Sequence, residues 1–146
     1  MSTNAACLLI RHLQHVGIPV TDLQKSKSFY GSLGFEAVMT AGFKFNDQPG
    51  ECVMMKKDQI TLELYRMPQQ ELSEIRSRGN GHIDHLAFDV SNIWEAFRTL
   101  KDEGFAVIEQ EPVFLQFWKY GCLYFNITGP DGERLEFNQI LDAPLP

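Results

Sequence analysis

The feature that most constrains this chain is that it nearly repeats itself. His12-Leu13-Gln14-His15-Val16-Gly17-Ile18-Pro19-Val20 and His82-Ile83-Asp84-His85-Leu86-Ala87-Phe88-Asp89-Val90 both read as His, two residues, His, then apolar side chains at every second position. The same offset carries Gly34-Phe35 onto Gly104-Phe105. Near the end of each half, Asp58-Gln59-Ile60-Thr61-Leu62-Glu63-Leu64 is echoed by Asp131-Gly132-Glu133-Arg134-Leu135-Glu136-Phe137 at a slightly longer offset. Two long copies are too few for a solenoid. They predict two modules on one plan, with matching side chains at matching points.

Periodicity gives each module its order. His15 to Val20 alternates with period two, the mark of a half-buried strand, and Pro19 suggests an edge or an unpaired position. Thr21 or Asp22 offers a helix cap; Leu23, Ser26, Tyr30 and Leu33 follow at helical spacing, and Gly34 stops the helix. Phe35 to Met39 is an expected strand, Ala41 to Gly50 a loop or hairpin tip, and Cys52 to Lys56 and Gln59 to Tyr65 two more strands joined at Lys57-Asp58. Residues 12–66 thus form the first βαβββ module. Residues 67–81 read as a connector with a short helix over Glu71 to Arg76.

Residues 82–140 repeat the order. His82 to Val90 is a strand, and Asn92 to Glu103 a helix with Ile93, Ala96, Phe97 and Leu100 inward. Phe105 to Glu109 is a strand, Glu111 to Tyr120 an aromatic loop, and Gly121 to Thr128 a strand. Gly129-Pro130-Asp131-Gly132 is a turn, and Glu133 to Gln139 the last strand. The class is α+β.

Composition narrows the function. The 146 residues are 44% apolar and 22% charged, which suits one globular unit rather than a disordered chain. A net charge of −6 with scattered basic residues excludes a nucleic-acid footprint and argues against anionic membranes. No apolar run approaches the ~20 residues needed to span a bilayer. The start of the chain lacks a basic region, and Cys7, Cys52 and Cys122 have no metal-type spacing, so reduced thiols and a cytoplasmic location are expected.

Alternation also decides which side chains can meet. If Val16, Ile18, Leu86 and Phe88 face the helices, His15 and His85 point the other way; if Leu62, Leu64, Leu135 and Phe137 are buried, so do Glu63 and Glu136. Should the two sheets curl together, two imidazoles and two carboxylates line one concave surface. That donor set suits a divalent first-row metal. A single strand histidine or glutamate is more often surface; its recurrence in both halves is what argues for a ligand. His12 and His82 fall on the opposite face and read as surface residues.

These stretches, with Ser28-Phe29-Tyr30-Gly31-Ser32-Leu33-Gly34-Phe35 and Gly129-Pro130-Asp131-Gly132-Glu133-Arg134-Leu135-Glu136, resemble the vicinal oxygen chelate superfamily of glyoxalases, bleomycin-resistance proteins and extradiol dioxygenases over about residues 12–140. The resemblance implies two βαβββ modules forming a cup-shaped mixed sheet, with His15, Glu63, His85 and Glu136 as metal ligands. It implies a homodimer acting on a small-molecule substrate with a divalent Ni, Zn, Co, Mn or Fe ion. Two His and two Glu match the glyoxalase I (lactoylglutathione lyase) pattern, in which a 2-oxoaldehyde–thiol hemithioacetal is isomerised through a metal-bound enediolate. Glu136 is then the carboxylate that moves the proton, and Glu63 can serve the opposite face of the substrate.

Where bacterial glyoxalase I enzymes hold glutathione with an Arg and an Asn, this chain has Pro19 and Met67. A different pocket is expected from Tyr65, Arg66, Arg134, Asn138 and the Phe114–Tyr120 loop with Phe117 and Trp118, although that aromatic run reads equally well as core or dimer contact. The alternatives are an epimerase, a fosfomycin-type thiol transferase, against which Glu63 counts, and a non-catalytic ligand-sequestering protein.

Overall fold

A computed structural model describes residues 10–32, 34–78, 83–128 and 134–146. The predicted places of Cys7, Leu33, Gly81, His82 and the Gly129–Gly132 turn lie outside them. The chain divides into two compact units, His15–Asp84 and Met1–Gln14 with His85–Pro146.

In the His15–Asp84 unit the order is β1 (Ile10–Pro19, of which the second half belongs here), α1 (Leu23–Ser32), β2 (Glu36–Phe45), β3 (Gln48–Lys57) and β4 (Ile60–Arg66), then a 3-10 turn (Gln69–Glu71) and α2 (Leu72–Ser77). The sheet runs β2-β3-β4-β1, antiparallel except for the closing β1–β4 pair. The helical crossover makes that last pairing parallel, because it returns the chain to the same end of the sheet. Val20, Val53, Met55, Leu62 and Leu64 form its core, with Val16, Ile18, Leu23, Tyr30 and Phe35 packed on them.

The other unit contains the first half of β1, then β5 (His85–Val90), α3 (Ile93–Asp102), β6 (Val113–Leu115), β7 (Cys122–Thr128) and β8 (Arg134–Ile140). Here too the first and last strands of the module, β5 and β8, pair in parallel, with β7 and β6 added antiparallel. Ile93, Ala96, Phe97 and Leu100 of α3 pack on Val90, Leu123, Phe125, Ile127 and Phe137. Phe125 stacks on Phe137 at 5.2 Å and takes Phe97 edge-on. Asn92 caps α3 by accepting from the Glu95 N–H at 3.1 Å, and the Gln139 side chain accepts from the Ile93 N–H. α+β and the doubled βαβββ order are therefore as expected. Among the described residues no helix is long and apolar enough to cross a membrane.

Two expected boundaries are corrected. Ala41 to Gly50 is mostly strand: β2 and β3 continue to a two-residue turn at Asn46-Asp47, both at positive φ (49° and 59°). A tight hairpin needs that backbone, and Asn and Asp tolerate it, so polar residues marked a turn and not a long loop. Phe105 to Glu109 forms no strand of its own; only Val107 bridges Ile127. The Glu109 carboxylate accepts the Asn126 backbone N–H at 2.6 Å and its side-chain amide at 2.8 Å, and the edge strand resumes only at Val113, after Pro112, which has no N–H to give.

Candidate functional site

Each unit places one histidine beside one glutamate, and it does so by the same register. In the parallel β1–β4 pair, Gly17 stands opposite Glu63, so His15 lies diagonally across from it. In β5–β8, Ala87 stands opposite Glu136 and His85 takes the diagonal. The residue facing each glutamate is small, so the imidazole and carboxylate can lean toward each other over it. Val16, Ile18, Leu62 and Leu64 occupy the core face of the first sheet, which leaves His15 and Glu63 on the other. Phe88, Leu135 and Phe137 do the same for His85 and Glu136. Sheet alternation, the basis of the prediction, is what the structure follows.

His15 Nε2 is 3.6 Å from Glu63 Oε2, and His85 Nε2 is 3.3 Å from Glu136 Oε2; both imidazoles are almost wholly buried. Those separations exceed the ~2.7–3.2 Å of a good N–H···O bond. They are shorter than the sum of two metal–ligand bonds of ~2.0–2.2 Å each. Each pair is thus spaced as two ligands of one ion would be, and the N and O donors suit a divalent first-row metal. The residues fit the group that the sequence implied.

His85 Nδ1 lies 3.1 Å from Nη2 of Arg134, which can only donate. Nδ1 is therefore the ring nitrogen that accepts from Arg134, and Nε2 is the one that faces Glu136. Asn138, on the same face two residues beyond Glu136, is buried. Its amide Nδ2 donates to Glu136 Oε1 at 2.7 Å, and its Oδ1 accepts from Gln14 Nε2 at 3.0 Å. Gln14 also reaches the Asn138 carbonyl at 3.3 Å and Asp89 Oδ1 at 3.5 Å, and Asp89 Oδ2 is bonded to Arg11. Arg11, half exposed, has its pKa raised by the hydrogen bond and the charge of Asp89.

Of the other expected pocket residues, Tyr65 is buried and meets Phe43 edge-on at 6.4 Å. Phe117 is buried, and Trp118 is partly buried with a left-handed backbone (φ 67°), a conformation that costs a residue with a Cβ. Phe114 covers Gly121, where a Cβ would meet its ring at 2.2 Å. His12 is exposed, as expected for the off-face histidine of β1.

Sequence reading missed Arg11, Gln14 and Asp89. Asp89 could have been found, since the alternation that turns His85 inward also turns Ala87 and Asp89 inward. Gln14 precedes the strand start that periodicity set, and nothing local marks its partner. The Glu109–Asn126 clasp is likewise a tertiary pairing that no spacing announces.

Comparison with known proteins agrees with the fold. A Bacillus subtilis (strain 168) protein, YwkD, itself uncharacterized, is 28% identical over 109 residues, covering 73% of this chain and 80% of YwkD. The crystal structure of the hypothetical protein BH1468 from Bacillus halodurans C-125 superposes with a TM-score of 0.72 at 25% identity, over 92% of this chain and 98% of that one. Methylmalonyl-CoA epimerase from Mycobacterium tuberculosis shares the fold at a TM-score of 0.72 and 23% identity, over 100% and 93% of the two chains. Residues 12–137 match the family profile of the Glyoxalase/Bleomycin resistance protein/Dioxygenase superfamily, so with its doubled βαβββ plan and its paired His–Glu positions this chain belongs to that superfamily.

Proposed function

We propose that this protein is a metal-dependent enzyme of the glyoxalase I type, moving a proton on a carbon next to a carbonyl, with the hemithioacetal of a 2-oxoaldehyde and a thiol as its leading substrate class. The observation that carries the reading is the recurrence of one His–Glu arrangement, register and all, in both modules. His15, Glu63, His85 and Glu136 together would hold one divalent ion, which when bound supplies Lewis-acid polarisation of the substrate carbonyl.

The remaining chemistry belongs to the chain. Glu136 accepts the proton from the substrate carbon and returns it to the neighbouring one. Arg134, a donor only and placed 3.1 Å from His85, would offer its guanidinium to a substrate oxygen. Each module offers aromatic side chains to a substrate, Tyr65 in the first and Phe117 and Trp118 in the second. Pro19 and Met67 offer no group for a glutathione carboxylate, so a different thiol is expected. By family resemblance the working form is a homodimer.

A second reading is supported by Glu63, which places a second carboxylate beside a histidine, and by likeness in fold to an epimerase. Removing a proton from one face and returning it to the other inverts a centre α to a carbonyl.

The test is metal content followed by proton exchange. One divalent ion per chain is expected, lost in both His15→Ala and His85→Ala; two ions per chain, or none bindable, sinks the proposal. Methylglyoxal with glutathione and with other low-molecular-weight thiols, assayed with Ni²⁺ and Zn²⁺ in parallel, tests the isomerase. Deuterium uptake from solvent into a 2-methyl acyl thioester tests the epimerase.

A further inference from the structure

We infer that Asn138, Gln14 and Asp89 are a positioning relay that fixes the orientation of Glu136 and so sets both its grip on the ion and its readiness to carry the proton; this rests on the role proposed for Glu136. The links form one line from the surface inward: Arg11 to Asp89, a long 3.5 Å contact between Asp89 and Gln14, then firm hydrogen bonds from Gln14 to Asn138 and from Asn138 to Glu136. Gln14, Asp89, Asn138 and Glu136 are 8%, 2%, 3% and 7% exposed, so water competes little for these bonds.

The direction of each link is dictated by chemistry. A carboxylate only accepts, so the NH2 of Asn138 must face Glu136 Oε1, which leaves Asn138 Oδ1 to accept. Gln14 can satisfy that oxygen only with its own NH2. Two further acceptors, the Asn138 carbonyl and Asp89 Oδ1, lie around the same nitrogen and hold it there. Asp89 is in turn anchored by Arg11, which is cationic throughout the working range. No amide in the line can flip without setting like against like. The outcome is that Glu136 Oε1 is committed to Asn138 while Oε2 faces His85 Nε2.

The matching positions of the other module carry different side chains. Tyr65 stands two residues after Glu63 where Asn138 follows Glu136, and Pro19 stands where Asp89 does. The relay therefore singles out Glu136, which is held to one oxygen and one rotamer by the Asn138 amide. Asn138, which the sequence suggested as a substrate contact, acts here as a positioning residue.

The experiment is Co²⁺ titration of the full-length protein, reading affinity and the visible d–d bands, with Glu136→Gln as the reference variant. Asn138→Leu is expected to weaken Co²⁺ binding by about 10–100-fold, the usual cost of removing a partner behind a ligand. Its bands should move toward those of Glu136→Gln. Gln14→Leu should shift both readouts the same way by less, and should add nothing in the Asn138→Leu background. Gln14→Glu, an acceptor where a donor is needed, turns the Asn138 amide over and should weaken binding more than Gln14→Leu.

Folded Asn138→Leu and Gln14→Glu proteins with wild-type affinity and spectra overturn the relay while leaving the role of Glu136 intact. If Asn138→Leu does not fold, Gln14→Glu against Gln14→Leu decides, and equal, unperturbed binding by both overturns it. Unchanged binding by Glu136→Gln overturns the metal reading itself, and the relay with it.

Discussion

The two units share one plan and differ in how well each is backed. α3 buries Ile93, Ala96, Phe97, Thr99 and Leu100, and its start is held by Asn92 and Gln139. α1 buries no residue fully; Leu23 and Tyr30 pack on its core from half-exposed positions, and Phe29 points outward. Yet the His–Glu distance is nearly the same in both, 3.6 and 3.3 Å. Helix packing therefore does not set the ligand geometry. Parallel register does, with Gly17 or Ala87 as the small residue across from the glutamate. The His–Glu pair recurs in both modules, while a helix with buried residues stands behind only one of them.

The largest effect should separate the two carboxylates. Glu136→Gln is expected to lower proton exchange by about 10²–10⁴-fold, the range for loss of a positioned acid–base group. Glu63→Gln should cost less if one carboxylate carries the proton, and as much if protons leave and return on opposite faces. Deuterium exchange rates of the two variants under one metal load therefore also sort isomerase from epimerase.

The next effect concerns the cores. Phe125→Ala removes the ring between Phe97 and Phe137 and should cost ~3–5 kcal/mol. Tyr30→Ala, at a half-buried site, should fall within the ~0.5–3 kcal/mol of ordinary substitutions. Urea denaturation followed by far-UV circular dichroism measures both, and equal losses would erase the contrast between the units.

Ala87→Val probes the register argument. The site is fully buried, and added methyls should cost ~1–3 kcal/mol of overpacking and push His85 away from Glu136. A drop in ion affinity beyond the stability loss is the expected result; unchanged affinity would remove the small residue from the account.

The smallest effect is at the helix starts. Asn92→Ala should cost ~1 kcal/mol by leaving the Glu95 N–H without its cap. Asp22, which accepts from the Lys25 N–H at 3.0 Å, caps a helix with no buried residue, so Asp22→Ala should lower the melting temperature by less.

Much of this was legible in the sequence, for a definite reason. Strand alternation has period two, so an apolar run at every second residue places His15, Glu63, His85 and Glu136 on the face away from the core before any partner strand is known. Helix ends at Gly34 and Gly104 were readable because a left-handed backbone (φ 92° and 83°) favours a residue without a Cβ. What was misread depended on pairing. The reach of β2 and β3 into Ala41–Gly50 is set by ladder bonds to the facing strand. The expected strand at Phe105–Glu109 gave way because the Glu109 side chain took a backbone N–H that a ladder would have used.

By itself the sequence determined the doubled βαβββ order and the four ligand-type side chains on matching strands, because both follow from local periodicity repeated in two copies. Only the tertiary structure decided that Arg11 and Gln14, at the head of β1, join the second module and bond to Asp89 and Asn138. Burial makes a polar side chain find a partner, but which distant partner it finds is a property of the assembled sheet, and no stretch of chain carries that information alone.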